Sequence, residues 1–282
     1  KTTKEKYKEY VVKNRLFILG AGFSAEAKIP LTGVLFKLSM EKMKEECPGI
    51  YKRIDNYAQS CFCCDNVDYS KVSFSDFCTF LEFIELREFG GGERWSNAGS
   101  REKLALRFFL AKTIAERTPR DSGIQEIYLQ FARQLHEQDI VITFNWDCLL
   151  EVALTQVGKQ YSYNFEKGKI RICKLHGSVN WIHDTPKELV KPIKNNILEW
   201  TPIGLANGMM PIDFYYSPWL IYFNDWKPFT GGLGQVKPFL VLPGYGKAFD
   251  VRSLAVLWYR PEFVFGFTHD VYIIGMGLSP DD

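Results

Sequence analysis

Three short stretches of this 282-residue chain carry groups that could do chemistry. Leu175-His176-Gly177-Ser178 places an imidazole directly after an apolar run. With an ordinary pKa near 6.5, an imidazole can take a proton from a hydroxyl group or a water at neutral pH. Phe144-Asn145-Trp146-Asp147 supplies an amide, which can donate and accept at once, and a carboxylate two residues on. Gly20-Ala21-Gly22-Phe23-Ser24 holds neither acid nor base. Its glycines let the backbone turn tightly with no side chain to keep a ligand away. Polar and helix-forming residues follow from Ser24 to Ala27, so the stretch predicts a strand, a glycine turn and a helix start. The N–H groups of such a turn attract phosphate. Gly20, Gly22 and Ala25 also fit the loose G-x-G-x-x-G/A pattern. The acidic residue that usually follows about 20 positions later would be Glu41, which falls in a helical pattern. A dinucleotide site here would not be that of an ordinary dehydrogenase.

Each residue has a plainer reading when taken singly. His176 could be a core or turn histidine. Asn145 could cap a helix beginning at Trp146, and Asp147 could complement that helix's dipole. Ser24 could be a helix cap. The argument for a site rests on what brings the stretches together.

Residues 16–19, 139–144, 170–175 and 271–275 are apolar runs, as expected of parallel strands buried on both faces. They end at Gly20, Asn145, His176 and Gly275. In an open parallel sheet, ligands bind at the carboxyl ends of the strands, so the four turns should meet along one edge. The fold class expected is α/β, a Rossmann-like parallel sheet with flanking helices. Residues 34–138 read as a mostly helical subdomain inserted between the first two strands. Within it, helices are expected over 34–46, ended by Pro48-Gly49, over 74–89, ended by Gly90-Gly91-Gly92, over 101–117, capped by Ser100, and over 124–138. Residues 50–73 are poorly periodic. Residues 161–163 read as a short strand. Residues 185–246 read as irregular loops and short strands, a lid or an oligomer contact, with an aromatic stretch at 214–229. Residues 253–267 read as helical on either side of Pro261.

Hydrophobic residues make up 46% and charged residues 24%, as in an ordinary globular protein, and the net charge is +2. No polyelectrolyte attraction to nucleic acid is implied. No apolar run approaches the roughly 20 residues that span a membrane, and residues 1–13 lack the apolar core of a signal peptide. The seven cysteines include one cluster, Cys61, Cys63 and Cys64. A metal site would need two spaced pairs, so no metal is expected. Cys148 and Cys173 read as buried small hydrophobes, and a reduced, cytoplasmic protein is expected. The chain does not begin with Met and stops at Pro280-Asp281-Asp282, directly after an apolar run. We expect it to be a fragment of a longer protein.

Gly20-Ala21-Gly22-Phe23-Ser24, Thr143-Phe144-Asn145-Trp146-Asp147, and Lys174-Leu175-His176-Gly177-Ser178 with Asn180-Trp181 resemble the signature blocks of the sirtuin-like domain. They are most similar to the branch found in bacterial antiphage defence proteins. Residues 273–282 resemble that branch's fourth block, which ends in an Asp, here Asp282. The resemblance runs over residues 16–282 and implies an NAD site. By it, residues 20–24 hold the pyrophosphate, with Pro30 and Thr32 of the following loop among the cofactor contacts. Asn145 and Asp147 sit beside the nicotinamide ribose. His176 is the catalytic base, with Gly177 and Ser178 next to it. Gly275 and Leu278 flank the ribose and adenine.

The departures narrow the expectation. No cysteine follows Cys173, so the zinc ribbon of protein-deacetylating sirtuins is absent. Leu31-Thr32-Gly33 follows Pro30 where those enzymes carry an acidic-aromatic-basic run. Lys28 and Gly277 stand where the family often has Gly and Ser. The resemblance therefore implies a glycohydrolase with water as acceptor, cleaving NAD to nicotinamide and ADP-ribose. It further implies a triggered effector that stops an infected host by depleting NAD, acting as a homo-oligomer. A C-terminal domain or partner protein would sense infection. A non-catalytic sensor of NAD or ADP-ribose is the second reading of the same blocks, and an NAD-dependent protein deacylase a third.

Overall fold

The first apolar run forms β1 (Asn14–Leu19), and its neighbours are strands from far along the chain. The computed structural model describes residues 14–87, 100–183, 201–202, 214–216, 238–244 and 268–277. After β1 come β2 (Ile140–Thr143), β3 (Tyr161–Ser162) and β4 (Ile170–Lys174). A second sheet follows, made of β5 (Gly177–His183), β6 (Thr201–Pro202), β7 (Phe214–Tyr216) and β8 (Pro238–Leu240). The last described strand is β9 (Thr268–Ile274). The first sheet is parallel, in the order β3-β4-β2-β1-β9. β2 is buried along its whole length, which its Ile-Val-Ile-Thr sequence suits. The chain is thus an α/β protein with a Rossmann-like parallel sheet flanked by helices. The second sheet is antiparallel, ordered β6-β7-β5-β8.

Between β1 and β2 lie α1 (Thr32–Glu46), α2 (Pro48–Phe62), α3 (Phe74–Arg87), α4 (Arg101–Arg117) and α5 (Glu126–Gln134). A sixth helix, α6 (Leu149–Gln156), follows β2. Ser100 caps α4 as its sequence suggests, its Oγ accepting the Lys103 N–H at 3.2 Å. α4 is largely buried, with α1, α2, β5 and β8 all packed against it.

Three expectations are corrected. Residues 50–73 are irregular only from 63 on: α2 covers 48–62, with Ile50, Ile54 and Ala58 buried at a spacing of four. Pro48 occupies the first turn of that helix, where a missing N–H costs nothing, so Pro48-Gly49 starts a helix as well as ending one. The helix expected over 124–138 is only 126–134, because the chain then turns so that the His136 N–H reaches the Asp139 carboxylate at 2.7 Å. Finally, no long helix begins after the glycine turn. Residues 21–24 form a single 3-10 turn, and α1 starts only at Thr32. Within residues 185–246 the described parts are β6, β7, β8 and the residues after β8, while 253–267 lies outside the described residues.

Candidate functional site

The four predicted turns meet. Leu19 stands opposite both Thr143 and Ile274, and Thr143 opposite Lys174, so four strands end level. The ladder runs one residue further at each end. Phe144 N–H bonds Leu19 O at 3.1 Å, Leu175 N–H bonds Thr143 O at 3.0 Å and Gly20 N–H bonds Ile274 O at 3.0 Å. A cleft of ≈ 620 Å³ opens beyond this edge, within the range of small-molecule sites. Gly20, Asn145, His176 and Gly275, one from each turn, line it, together with Ala21, Gly22, Ser24, Pro30, Thr32 and Asp147. The facing wall comes from other parts of the chain: Leu35 of α1, Ile114 of α4, and Val241 and Pro243 after β8. Phe144 and Trp146 line it as well.

The glycines serve close packing between two turns. A Cβ on Gly20 would lie 2.6 Å from Gly275 O, and one on Gly22 would lie 2.9 Å from Gly275 Cα. Gly275 itself has φ +65, and a Cβ there would sit 2.1 Å from Phe23 N. The Gly22 N–H donates to Gly275 O at 2.8 Å, that of Phe23 to Gly20 O at 2.9 Å, and that of Ala25 to Gly22 O at 3.3 Å. The N–H array that the sequence suggested for phosphate is therefore mostly turned inward. Phe23 is not among the residues that line the cleft. Its ring packs against Tyr128 and Phe131 of α5, with centroids 5.4 Å away in both cases.

Asn145 is buried, and its amide is oriented by its partners. Nδ2 donates to Gly20 O at 2.9 Å and to Ser24 Oγ at 3.3 Å. A carbonyl only accepts, so it is Nδ2 that faces Gly20. Among the described residues nothing bonds Oδ1, which leaves an acceptor for a ligand rather than the donor-and-acceptor pair expected. Asn145 is not a helix cap. α6 begins at Leu149, and its first N–H is taken by Asp147 Oδ1 at 3.0 Å. Asp147 Oδ2 accepts the Ser24 hydroxyl at 2.8 Å. Burial raises the Asp147 carboxyl above its ordinary pKa, and the nearby Lys174 ammonium opposes the shift. His176 is also buried, its ring edge-on to Phe144 at 5.0 Å and its carbonyl accepting the Val241 N–H at 2.9 Å.

Two neighbours of His176 that the resemblance implied as cofactor contacts do not line the cleft and are packed in the interior. Gly177 begins β5 with φ +77, and a Cβ there would lie 2.3 Å from Phe239 O. Ser178 is fully buried, its hydroxyl 3.3 Å from Trp146 O and 3.4 Å from Cys148 Sγ. Burial pushes the Cys148 thiol up to about 12 against the pull of Lys174, so it is no nucleophile at neutral pH. Leu278 and Asp282 lie outside the described residues. No group of three His, Cys, Asp or Glu side chains among the described residues is placed to hold a metal ion. No described helix is long and apolar enough to cross a membrane. The chain matches no protein-family model and no curated protein.

Proposed function

We propose that the chain is an NAD glycohydrolase, the triggered effector of an antiphage response. The observation that carries the reading is the convergence of Gly20, Asn145, His176 and Gly275 on one cleft, taken with the resemblance of their blocks to the sirtuin-like domain. The cleft pairs an amide acceptor and an imidazole with an apolar wall. That combination suits a reaction needing orientation and a base more than a strong acid. The bond between nicotinamide and ribose breaks with its electron pair on nicotinamide, which leaves neutral. Water bonds the ribose carbon and gives up a proton. In this reading His176 receives that proton, directly or through a ribose hydroxyl. Asn145 Oδ1 accepts a hydrogen bond from the ribose or the water and holds it in line. Pro30, Leu35 and Ile114 shield the reacting carbon from bulk solvent. The trigger would reach the site from another domain or a partner, through a homo-oligomer.

A sensor of NAD or ADP-ribose is the second reading. The Asn145 amide ties Gly20 to Ser24, a role that needs no turnover. The test is nicotinamide release from NAD by the full-length protein with its trigger, followed by chromatography, beside His176→Ala. The expected result is release by the parent and a fall of about 100-fold or more in the variant, with NAD still bound in calorimetry. Binding without release supports the sensor. Neither release nor binding by the folded protein overturns both readings.

A further inference from the structure

Behind the Asn145-Trp146-Asp147 turn lies a buried polar cluster that the proposed reaction does not use. Lys174 ends β4, two residues before His176, and is wholly buried. Its ammonium donates to the Asp147 carbonyl and, at 3.1 Å, to Glu151 Oε1 in the first turn of α6. The Tyr163 hydroxyl donates to the same Oε1 at 2.9 Å, and Asn180 Nδ2 of β5 donates to that hydroxyl at 3.2 Å. The next carbonyl back, that of Trp146, receives the Val179 N–H at 2.9 Å and the Ser178 hydroxyl at 3.3 Å. The turn is therefore gripped from behind by β4 and β5. On its cleft side the Asp147 carboxylate holds Ser24, and Ser24 holds Asn145.

A buried ion pair is a poor way to stabilise a core, since its desolvation offsets its attraction and an apolar pair of similar volume does as well. An apolar side chain, however, could not hold the Asp147 carbonyl. Burial alone would lower the Lys174 pKa, and the acidic groups facing the ammonium outweigh it and raise it; at neutral pH the carboxylate in hydrogen-bond contact is that of Glu151. The ammonium is thus charged at neutral pH. We propose that Lys174 is a positioning residue, whose ammonium, fixed by Glu151, clamps the Asn145–Asp147 turn so that Asn145 faces the cleft beside His176. The turnover arm of its test rests on the glycohydrolase reading; the structural arm does not.

The experiment compares the full-length parent with Lys174→Met and with Lys174→Met/Glu151→Gln. The double variant removes the stranded carboxylate but keeps an acceptor for Tyr163. It should melt within about 5 °C of the parent. Its turnover should nonetheless fall about tenfold or more, with the NAD dissociation constant changed less than about threefold, because a displacement of about 1 Å can cost on the order of 100-fold in rate. Amide exchange in residues 144–149 should quicken while the rest of β2 and β4 stays protected. Parental turnover with parental exchange overturns the proposal. So does a double variant that melts as low as the single one and loses activity only in step with its folded fraction. If the parent releases no nicotinamide, the glycohydrolase reading falls separately, and exchange at 144–149 decides the clamp: quickened supports it, unchanged overturns it.

Discussion

Asn145 has two jobs that a single substitution can separate. Its Nδ2 ties Gly20 to Ser24, while the residue lines the cleft with its Oδ1 unbonded among the described residues. Asn145→Ala leaves Gly20 O without that donor, a cost of about 1–3 kcal/mol for a buried group. We expect urea unfolding to show a loss of that size and the nicotinamide assay to show no turnover. A loss as large as a core deletion would give the residue a purely structural role. Asp147 makes a second, pH-dependent prediction. Its folded pKa is raised by burial, so the native state holds the proton more tightly than the unfolded chain. Its ionisation therefore lowers stability as pH rises past about 4 and through the folded pKa. Asp147→Asn cannot ionise. Between pH 4 and 7 the parent should lose more stability than this variant, read from melting temperatures across that range. Equal slopes would mean that the carboxyl titrates at its ordinary value.

Among the elements, the meeting of the β1 and β9 turns is the tightest fit. Gly275→Ala puts a Cβ against Phe23 N at a positive φ, and neither turn can retreat because both continue strands paired along their length. We expect a loss of about 3 kcal/mol or more in urea unfolding, and with it the alignment of Gly20 to the cleft. The strand ends were legible in the sequence because apolar runs stop abruptly at Gly20, Asn145, His176 and Gly275. The inward turn of the glycine N–H groups was not, since it depends on Gly275 O, a carbonyl at the other end of the chain. α2 was hidden behind Pro48-Gly49, a pair that reads as a terminator and here also starts a helix. β5 was hidden behind Gly177, which reads as a turn but already pairs with Leu240 as the first residue of the strand. Leu35, Ile114 and Val241 could not be foreseen in the wall. Each looks like an ordinary core residue until the α1, α4 and β8 segments fold over the sheet edge.

At the scale of the whole molecule, the sheet divides the chain into a site-bearing edge and a supporting body. Arg15 reaches Asp139 with Nε at 3.0 Å from Oδ1, tying the starts of β1 and β2 at the far end of the strands from the cleft. Phe17 stacks on Tyr272 at 5.0 Å, so β1 and β9 are also held through their side chains. β1 lies between β2 and β9 in this sheet, made first and completed last. Leu16 pairs with Ile140 on one side and with Val271 on the other. Contacts so distant in sequence close large loops, which slows folding. During synthesis the glycine turn meets Gly275 only once β9 has left the ribosome. A partly made chain, or one cut before β9, can own both Asn145 and His176 and still lack the Gly275 side of the cleft. On the proposed glycohydrolase reading, a chain ending before β9 should release no nicotinamide.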